Sequence, residues 1–328
     1  MKLYEDQLIV ITGGVGFIGS CLVRLLNDHG ITNIVVVDEL GNSEKWKNLV
    51  GKRVADVIPK NQFFAWLEGR EALIEAFIHL GACTRTTETD ASYLLENNYR
   101  FSQKLVQYAL KNGQRFIYAS SAATYGDGSM GFSDDHKKMD TLRPLNMYGL
   151  SKQLFDLWLK GEGLLEQVVG LKFFNVFGPN EWHKGRMASA ILHMLPHAQK
   201  EGVVKLFQSS DPAQFGDGEQ KRDFIYVKDV VRMIYAFLKN DAYGIYNIGR
   251  GVGTTWNEVA KALFKAIGKP PKIEYIPMPA DLIGKYQNYT CADMKKTRSV
   301  LKSAADTSSI EDSVSDYVKN HLLLEKTW

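Results

Sequence analysis

The chain has 328 residues, 45% of them hydrophobic, enough to bury a substantial core without disulfides or a structural metal. Its 40 basic and 37 acidic residues leave a formal charge of +3 spread along the sequence, so no basic tail or patch argues for a nucleic-acid partner. No run approaches about 18 uninterrupted apolar residues, which argues against a transmembrane helix and a membrane partner. The stretch Met1-Lys2-Leu3-Tyr4-Glu5-Asp6-Gln7 lacks a signal-peptide pattern, and Cys21, Cys83 and Cys291 lack metal-ligand spacing. A cytoplasmic α/β protein with reduced, buried thiols and no metal site is expected.

The first predicted element is Leu8-Ile9-Val10-Ile11-Thr12, a short β-branched run of the kind that forms a buried parallel strand. It breaks into Gly13-Gly14-Val15-Gly16-Phe17-Ile18-Gly19, and a helix is predicted from Phe17 to Asn27. Gly13, Gly16 and Gly19 keep a three-residue spacing. In a βα turn that spacing serves tight turning, close backbone approach to a pyrophosphate, and close packing of helix on strand, with the helix N-terminus facing the phosphates. A second strand, Asn33-Ile34-Val35-Val36-Val37, ends on Asp38, 19 residues after Gly19, where a dinucleotide-binding unit places an acid against the adenosine ribose.

The polar segment from Glu39 to Lys60 carries Lys45, Lys47, Lys52, Arg53 and Lys60 and predicts a solvated loop with a short helix. A lysine there could instead neutralise a 2′-phosphate, favouring NADP over the NAD that Asp38 alone suggests. Ala76-Phe77-Ile78-His79-Leu80-Gly81-Ala82 predicts a strand whose end passes under the cofactor, with His79 a satisfied core histidine. Helical periodicity spans Thr89 to Gly113, and Arg115-Phe116-Ile117-Tyr118-Ala119-Ser120-Ser121 returns to strand. This alternation predicts a parallel, doubly wound sheet with the site at its C-terminal strand ends. Val168 to Phe177 predicts one further strand, closing at Gly178-Pro179.

Beyond it the rhythm loosens. The expected elements are a loop from Asn180 to Arg186, a helix through Leu195, strands at Val203 to Gln208 and Arg222 to Val227, a helix from Asp229 to Leu238, a strand from Gly244 to Ile248, and helices at Thr255 to Ile267 and Ile310 to Leu324. Residues 1–174 are expected to form the dinucleotide-binding domain. Residues 175–328 are expected to form mainly a smaller, mixed α/β substrate domain, with some segments crossing back to the sheet.

Tyr148 and Lys152 stand four residues apart, so on a helix both emerge on one face. A free tyrosine has a pKa of about 10, too high for a base at neutral pH, but a neighbouring ammonium and an oxidised nicotinamide both favour the phenolate. Such a tyrosine can accept a hydroxyl proton as hydride leaves the same carbon. Ser121, just past a predicted strand, is placed to hydrogen-bond the same substrate oxygen, although a strand-end serine can equally serve as a helix cap.

With its Gly-x-x-Gly-x-x-Gly loop, strand-edge Ser121 and Tyr148-x-x-x-Lys152, the chain resembles the extended short-chain dehydrogenase/reductase family of nucleotide-sugar enzymes over essentially its full length. The resemblance implies a Rossmann domain followed by a smaller sugar-nucleotide domain, with Ser121, Tyr148 and Lys152 as the catalytic set. Dehydratases of the family normally place an Asp-Glu pair directly after the edge Thr, whereas Ser121 is followed by Ala122-Ala123. Tyr118 to Gly126, Phe174 to Pro179, His183-Lys184-Gly185, Phe207 to Ser210, Lys221 to Phe224 and Gly284 to Gln287 resemble the family's epimerases of ADP-activated heptoses.

That resemblance implies inversion at C6 of an ADP-heptose by transient oxidation, with Lys184 as a second base; the sequence by itself would place Lys184 in a solvated loop. For the cofactor it implies Phe17, Ile18, Asp38, Glu39, Lys45, Lys60, Leu80, Gly81, Ala82, Cys83, Thr84, Asn97, Lys152, Val176 and Lys184 beside the glycines. NADP is expected, with NAD left open by Glu39. For the substrate it implies Asn175, Arg186, His193, Phe207, Gln208, Ser209, Ser210, Arg222 and Tyr286, with Arg222 the choice for the diphosphate. Arg186 departs from the family, which commonly has a small serine there. A homo-oligomer is expected. The rival readings are C4 epimerisation or reduction of another nucleotide sugar, and a nucleotide-sensing protein without turnover.

Overall fold

The computed structural model describes residues 7–279 and 287–328. The β-branched runs become β1 (Leu8–Thr12), β2 (Ile34–Asp38), β3 (Asp56–Pro59), β4 (Ile74–His79), β5 (Arg115–Ser121) and β6 (Val169–Phe173). They are followed by β7 (Asn175–Phe177), β8 (Val204–Phe207), β9 (Lys221–Arg222), β10 (Phe224–Tyr226), β11 (Gly244–Ile248), β12 (Thr254–Thr255) and β13 (Ile273–Ile276). Seven of these pair in parallel in the order β11-β6-β5-β4-β1-β2-β3, a Rossmann-type α/β sheet. The order reverses beside β1, between β4 and β2, which opens a crevice at the carboxyl ends of the strands.

Side-chain alternation builds the layers. Ile9, Ile11, Ile34, Val36, Ala76, Ile78 and Ile117 face one way and pack with Cys21, Leu22, Val231 and Ile234 of the helices Phe17–Asp28 and Val227–Lys239. Val10, Val35, Val37, Phe77 and Phe116 face the other way, against Phe63, Leu105 and Phe155. Each such fully buried aliphatic or aromatic side chain contributes about 1.5–3 kcal/mol relative to exposure. The register sets Thr12 opposite His79 and Ser121 opposite Phe173, so the polar strand ends share one edge. His79 is a satisfied core residue: its ring meets Thr12 Oγ1 at 2.6 Å and Ser102 Oγ at 2.8 Å, and burial pushes its pKa down to about 3.

Several elements differ from the sequence expectation. The run from Val168 to Phe177 is two strands, because Phe174 N–H donates to Ile248 O and Asn175 N–H to Asp223 O. The chain leaves the large sheet there, and β7 pairs with β10 in a separate two-stranded sheet. β3 and β13 are short strands outside the sequence expectation, and Cys291 is only half-buried. The expected helix from Thr89 is continuous but contains a π-helical stretch, Leu95–Arg100. Thr255 is the N-cap of the helix Trp256–Ala266, in a capping box with Glu258. Among the described residues no helix is long and apolar enough to cross a membrane.

Candidate active site

The glycine loop is a tight cradle. A Cβ on Gly13 would lie 2.7 Å from Gly81 N, and one on Gly19 would lie 2.2 Å from Gly13 O. Neither atom can yield, so helix, loop and the end of β4 pack as only glycines allow. Asp38 closes the cradle, accepting Val15 N–H at 2.9 Å and Glu39 N–H at 2.8 Å, while Lys45 Nζ pairs with its Oδ1 at 2.5 Å. Thr12, Gly13, Asp38, Glu39, Lys45, Lys60, Gly81, Ala82, Cys83 and Asn97 line one cavity here. Lys60 donates to Asn97 Oδ1, and Leu80 supports the floor through Thr12 O. A hydrogen-bonding carboxylate, two lysines and a Cβ-free phosphate turn fit a nicotinamide dinucleotide.

A second cavity adjoins the loop, lined by Phe17, Ile18, Thr84, Ser121, Tyr148, Asn175, Val176, Lys184, Ser189 and Trp256 among others. Tyr148 stands in the first turn of the helix Met147–Gly161, which is capped by Asn146 Oδ1 accepting Gly149 N–H at 2.8 Å. A Cβ on Gly149 would meet Ala123 O at 2.7 Å, so glycine lets that turn press against the end of β5. Burial raises the Tyr148 pKa, and a hydrogen bond with Ser121 opposes the rise. Lys152, one turn further, is buried, donates to Ala119 O at 2.9 Å and has its pKa pushed down to about 8 by burial.

Beneath it lies a network without an expectation from sequence. Asp156 accepts from Tyr118 OH at 2.8 Å, Ser120 Oγ at 2.7 Å and Lys172 Nζ at 2.8 Å, fixing the Tyr148 helix to β5 and β6. A lysine inside the apolar run around Lys172 was its only sequence signal.

Lys184 reaches the cavity from a short 3₁₀ segment, Trp182–Met187, whose backbone turns at Gly185 with φ of 52°. Its Nζ lies 5.2 Å from the centre of the Phe17 ring, and burial lowers its pKa while the nearby Glu181 raises it. Tyr148 and Lys184, far apart in sequence, thus share one cavity.

A third cavity holds His193, Met194, His197, Val204, Phe207, Gln220 and Trp256, with Ala190 and Trp256 common to it and the Tyr148 cavity. Of the predicted substrate residues, the structure therefore brings Asn175 to the Tyr148 cavity and His193 and Phe207 to the apolar one. Gln208 O accepts from Gln220 at 3.4 Å, and Ser209 N–H donates to Asp217 Oδ1 at 2.8 Å. Ser210 Oγ lies 3.4 Å from Asn288 Oδ1. Arg222 is buried on β9 with Nη1 3.1 Å from Lys221 O, and Arg186 is exposed; neither lines these cavities. Tyr286 lies outside the described residues. Trp256, which joins the two cavities, carried no sequence signal beyond helical periodicity.

The profile of the NAD dependent epimerase/dehydratase family matches residues 9–249. The chain is 49% identical over 318 residues to an ADP-L-glycero-D-manno-heptose-6-epimerase of Nitratidesulfovibrio vulgaris, covering 96% of this chain and 98% of that one. It is 43% identical over 333 residues to a Fusobacterium nucleatum protein of the same name, covering 98% and 100%. Among solved structures, the Helicobacter pylori ADP-L-glycero-D-manno-heptose-6-epimerase superposes with a TM-score of 0.80 at 29% identity over 96% of each chain. A UDP-N-acetylglucosamine 4-epimerase from Methanobrevibacter ruminantium shares the fold, with a TM-score of 0.79 at 24% identity over 98% of this chain and 100% of that one.

Proposed function

We propose that this chain, which belongs to the NAD dependent epimerase/dehydratase family, inverts C6 of the heptose in ADP-D-glycero-β-D-manno-heptose to give the L-glycero epimer. The observation that carries the reading is the shared cavity of Ser121, Tyr148 and Lys184 beside the glycine loop, in a chain 43–49% identical to proteins of that name. C6 bears a secondary hydroxyl and no acidic hydrogen, so simple deprotonation of the carbon is unsuitable. When bound, the nicotinamide supplies a hydride acceptor and donor, so the carbon becomes a planar ketone and regains its hydrogen on the opposite face.

The protein's own groups handle the proton and the orientation. Tyr148 takes the C6 hydroxyl proton of one epimer and Lys184 that of the other, and the two exchange roles as acid and base in the reverse direction. Ser121 hydrogen-bonds the reacting oxygen. The Lys152 ammonium, one helical turn from Tyr148, is assigned the role of favouring the phenolate that burial disfavours. Asn175, His193 and Phe207 orient the sugar nucleotide, for which residues 175–328 supply most of the contacts.

We infer NADP as the cofactor. The pairing of Lys45 with Asp38 offsets the carboxylate that would repel a 2′-phosphate, and Lys60 adds a second cation in the same cavity. The chain is further proposed to act as a cytoplasmic homo-oligomer. Purified protein with its bound nucleotide is expected to convert ADP-D-glycero-β-D-manno-heptose into a mixture of both epimers without accumulating reduced nicotinamide. No inversion would overturn the substrate, and NAD as the nucleotide released on denaturation, identified by mass, would overturn the cofactor.

A further inference from the structure

We propose that Glu181 is a positioning residue for the second proton-transfer site: its buried carboxylate closes the loop that carries Lys184 and so fixes where that amine stands in the cavity. The inference rests on the reading of Lys184 as an acid–base group. Glu181 is fully buried although it sits in a polar surface loop, and both its oxygens accept. Oε2 takes Ser189 N–H at 2.6 Å. Oε1 takes Ser189 Oγ–H at 2.6 Å, Tyr317 O–H at 2.9 Å and Gly178 N–H at 3.3 Å. Burial raises the pKa of this carboxyl, while the bonds from Ser189 and Tyr317 and the charge of Lys184 favour its ionised form.

The four donors show what the charge does. Gly178 and Ser189 are the two ends of the loop that contains Lys184, and Ser189 is also the N-cap of the helix Ala190–Lys200. The carboxylate therefore ties the loop shut and sits at the positive end of the helix that carries His193. Tyr317 ties the same carboxylate to the helix Ile310–Tyr317. Lys184 lies one turn after Glu181 and its N–H donates to Glu181 O at 3.0 Å.

The groups that face the pair are few. His183 adjoins Lys184 and is itself exposed to the charges of Lys45 and Asp38. The Phe17 ring covers the amine from the glycine-loop helix. Tyr148 lies across the cavity, and Cys21 and Tyr317 lie behind the carboxylate. Glu181 itself is a nearby negative charge that favours the Lys184 ammonium, opposing the effect of burial.

The test uses the full chain with its nucleotide and follows turnover from each epimer. In Glu181→Gln the loop loses its charged tie, and kcat is expected to fall several-fold more for the epimer served by Lys184 than for the one served by Tyr148, with the nucleotide retained. Tyr317→Phe, which removes one hydrogen bond and leaves the two loop ends tied, is expected to stay close to the parent. An equal change from both epimers, or no change, in Glu181→Gln would overturn the proposal.

Should Glu181→Gln fold too poorly to assay, Ser189→Ala carries the test, because it removes one tie across the loop and leaves the carboxylate in place. Its Lys184 peptide is expected to be acylated by acetic anhydride several-fold faster than the parent's at one pH, read by mass spectrometry, and an unchanged rate would count against the proposal. Full activity of Lys184→Met would instead sink the acid–base reading, leaving the labelling result to stand by itself.

Discussion

Burial raises the Tyr148 pKa and leaves less of the phenolate at neutral pH, so the role proposed for it needs neighbouring groups that favour ionisation. Removing the phenol as Tyr148→Phe should therefore lower kcat by about 10²–10⁴-fold while nucleotide stays bound, checked by steady-state assay and by the nucleotide content of the purified protein. Lys184→Met should impair turnover by a comparable factor, with its larger effect on one epimer as substrate, measured by running the assay from each side. Lys152 carries its ammonium below a pKa of about 8 and loses it as pH rises through that value. Activity that depends on the charge should fall above about pH 8, and the residual activity of Lys152→Met should lack that alkaline limb.

At the scale of elements, the glycine loop and the kink after β6 matter most. Gly19→Ala drives a methyl group into Gly13 O, an atom fixed by the turn. It should cost about 1–3 kcal/mol and weaken nucleotide retention, measured by thermal unfolding and by dialysis of the bound nucleotide. The loop was legible because β-branched residues, glycine spacing and Asp38 point to one structure. The kink at Phe174 was not: ten residues from Val168 to Phe177 are mostly apolar, and the break depends on hydrogen bonds to Ile248 and Asp223, far along the chain. That break matters because it carries Asn175 and Val176 into the cavity. β3 and β13 were missed for a related reason, since a short edge strand gains its order from its neighbour rather than from its own apolar period.

Across the whole molecule, the Tyr148 cavity and the apolar cavity around His193 and Phe207 share Ala190 and Trp256, and Phe17 and Ile18 of the Tyr148 cavity open the helix that follows the glycine loop. Ser121, Tyr148 and Lys152 could be found in sequence because strand ends and helical spacing are local. Glu181 and Asp156 could not, since each is a charge made tolerable only by donors from elements brought together by the fold. Such groups look solvated in sequence and turn out to frame the site.

In the proposed mechanism one carbon is oxidised and reduced in place, with protons handled by Tyr148 and Lys184 and hydrogen on C6 never exchanged with water. Turnover of ADP-D-glycero-β-D-manno-heptose in heavy water tests it most directly. Mass and nuclear magnetic resonance analysis of the product should show inversion with no solvent deuterium at C6; deuterium incorporated at C6 would contradict it.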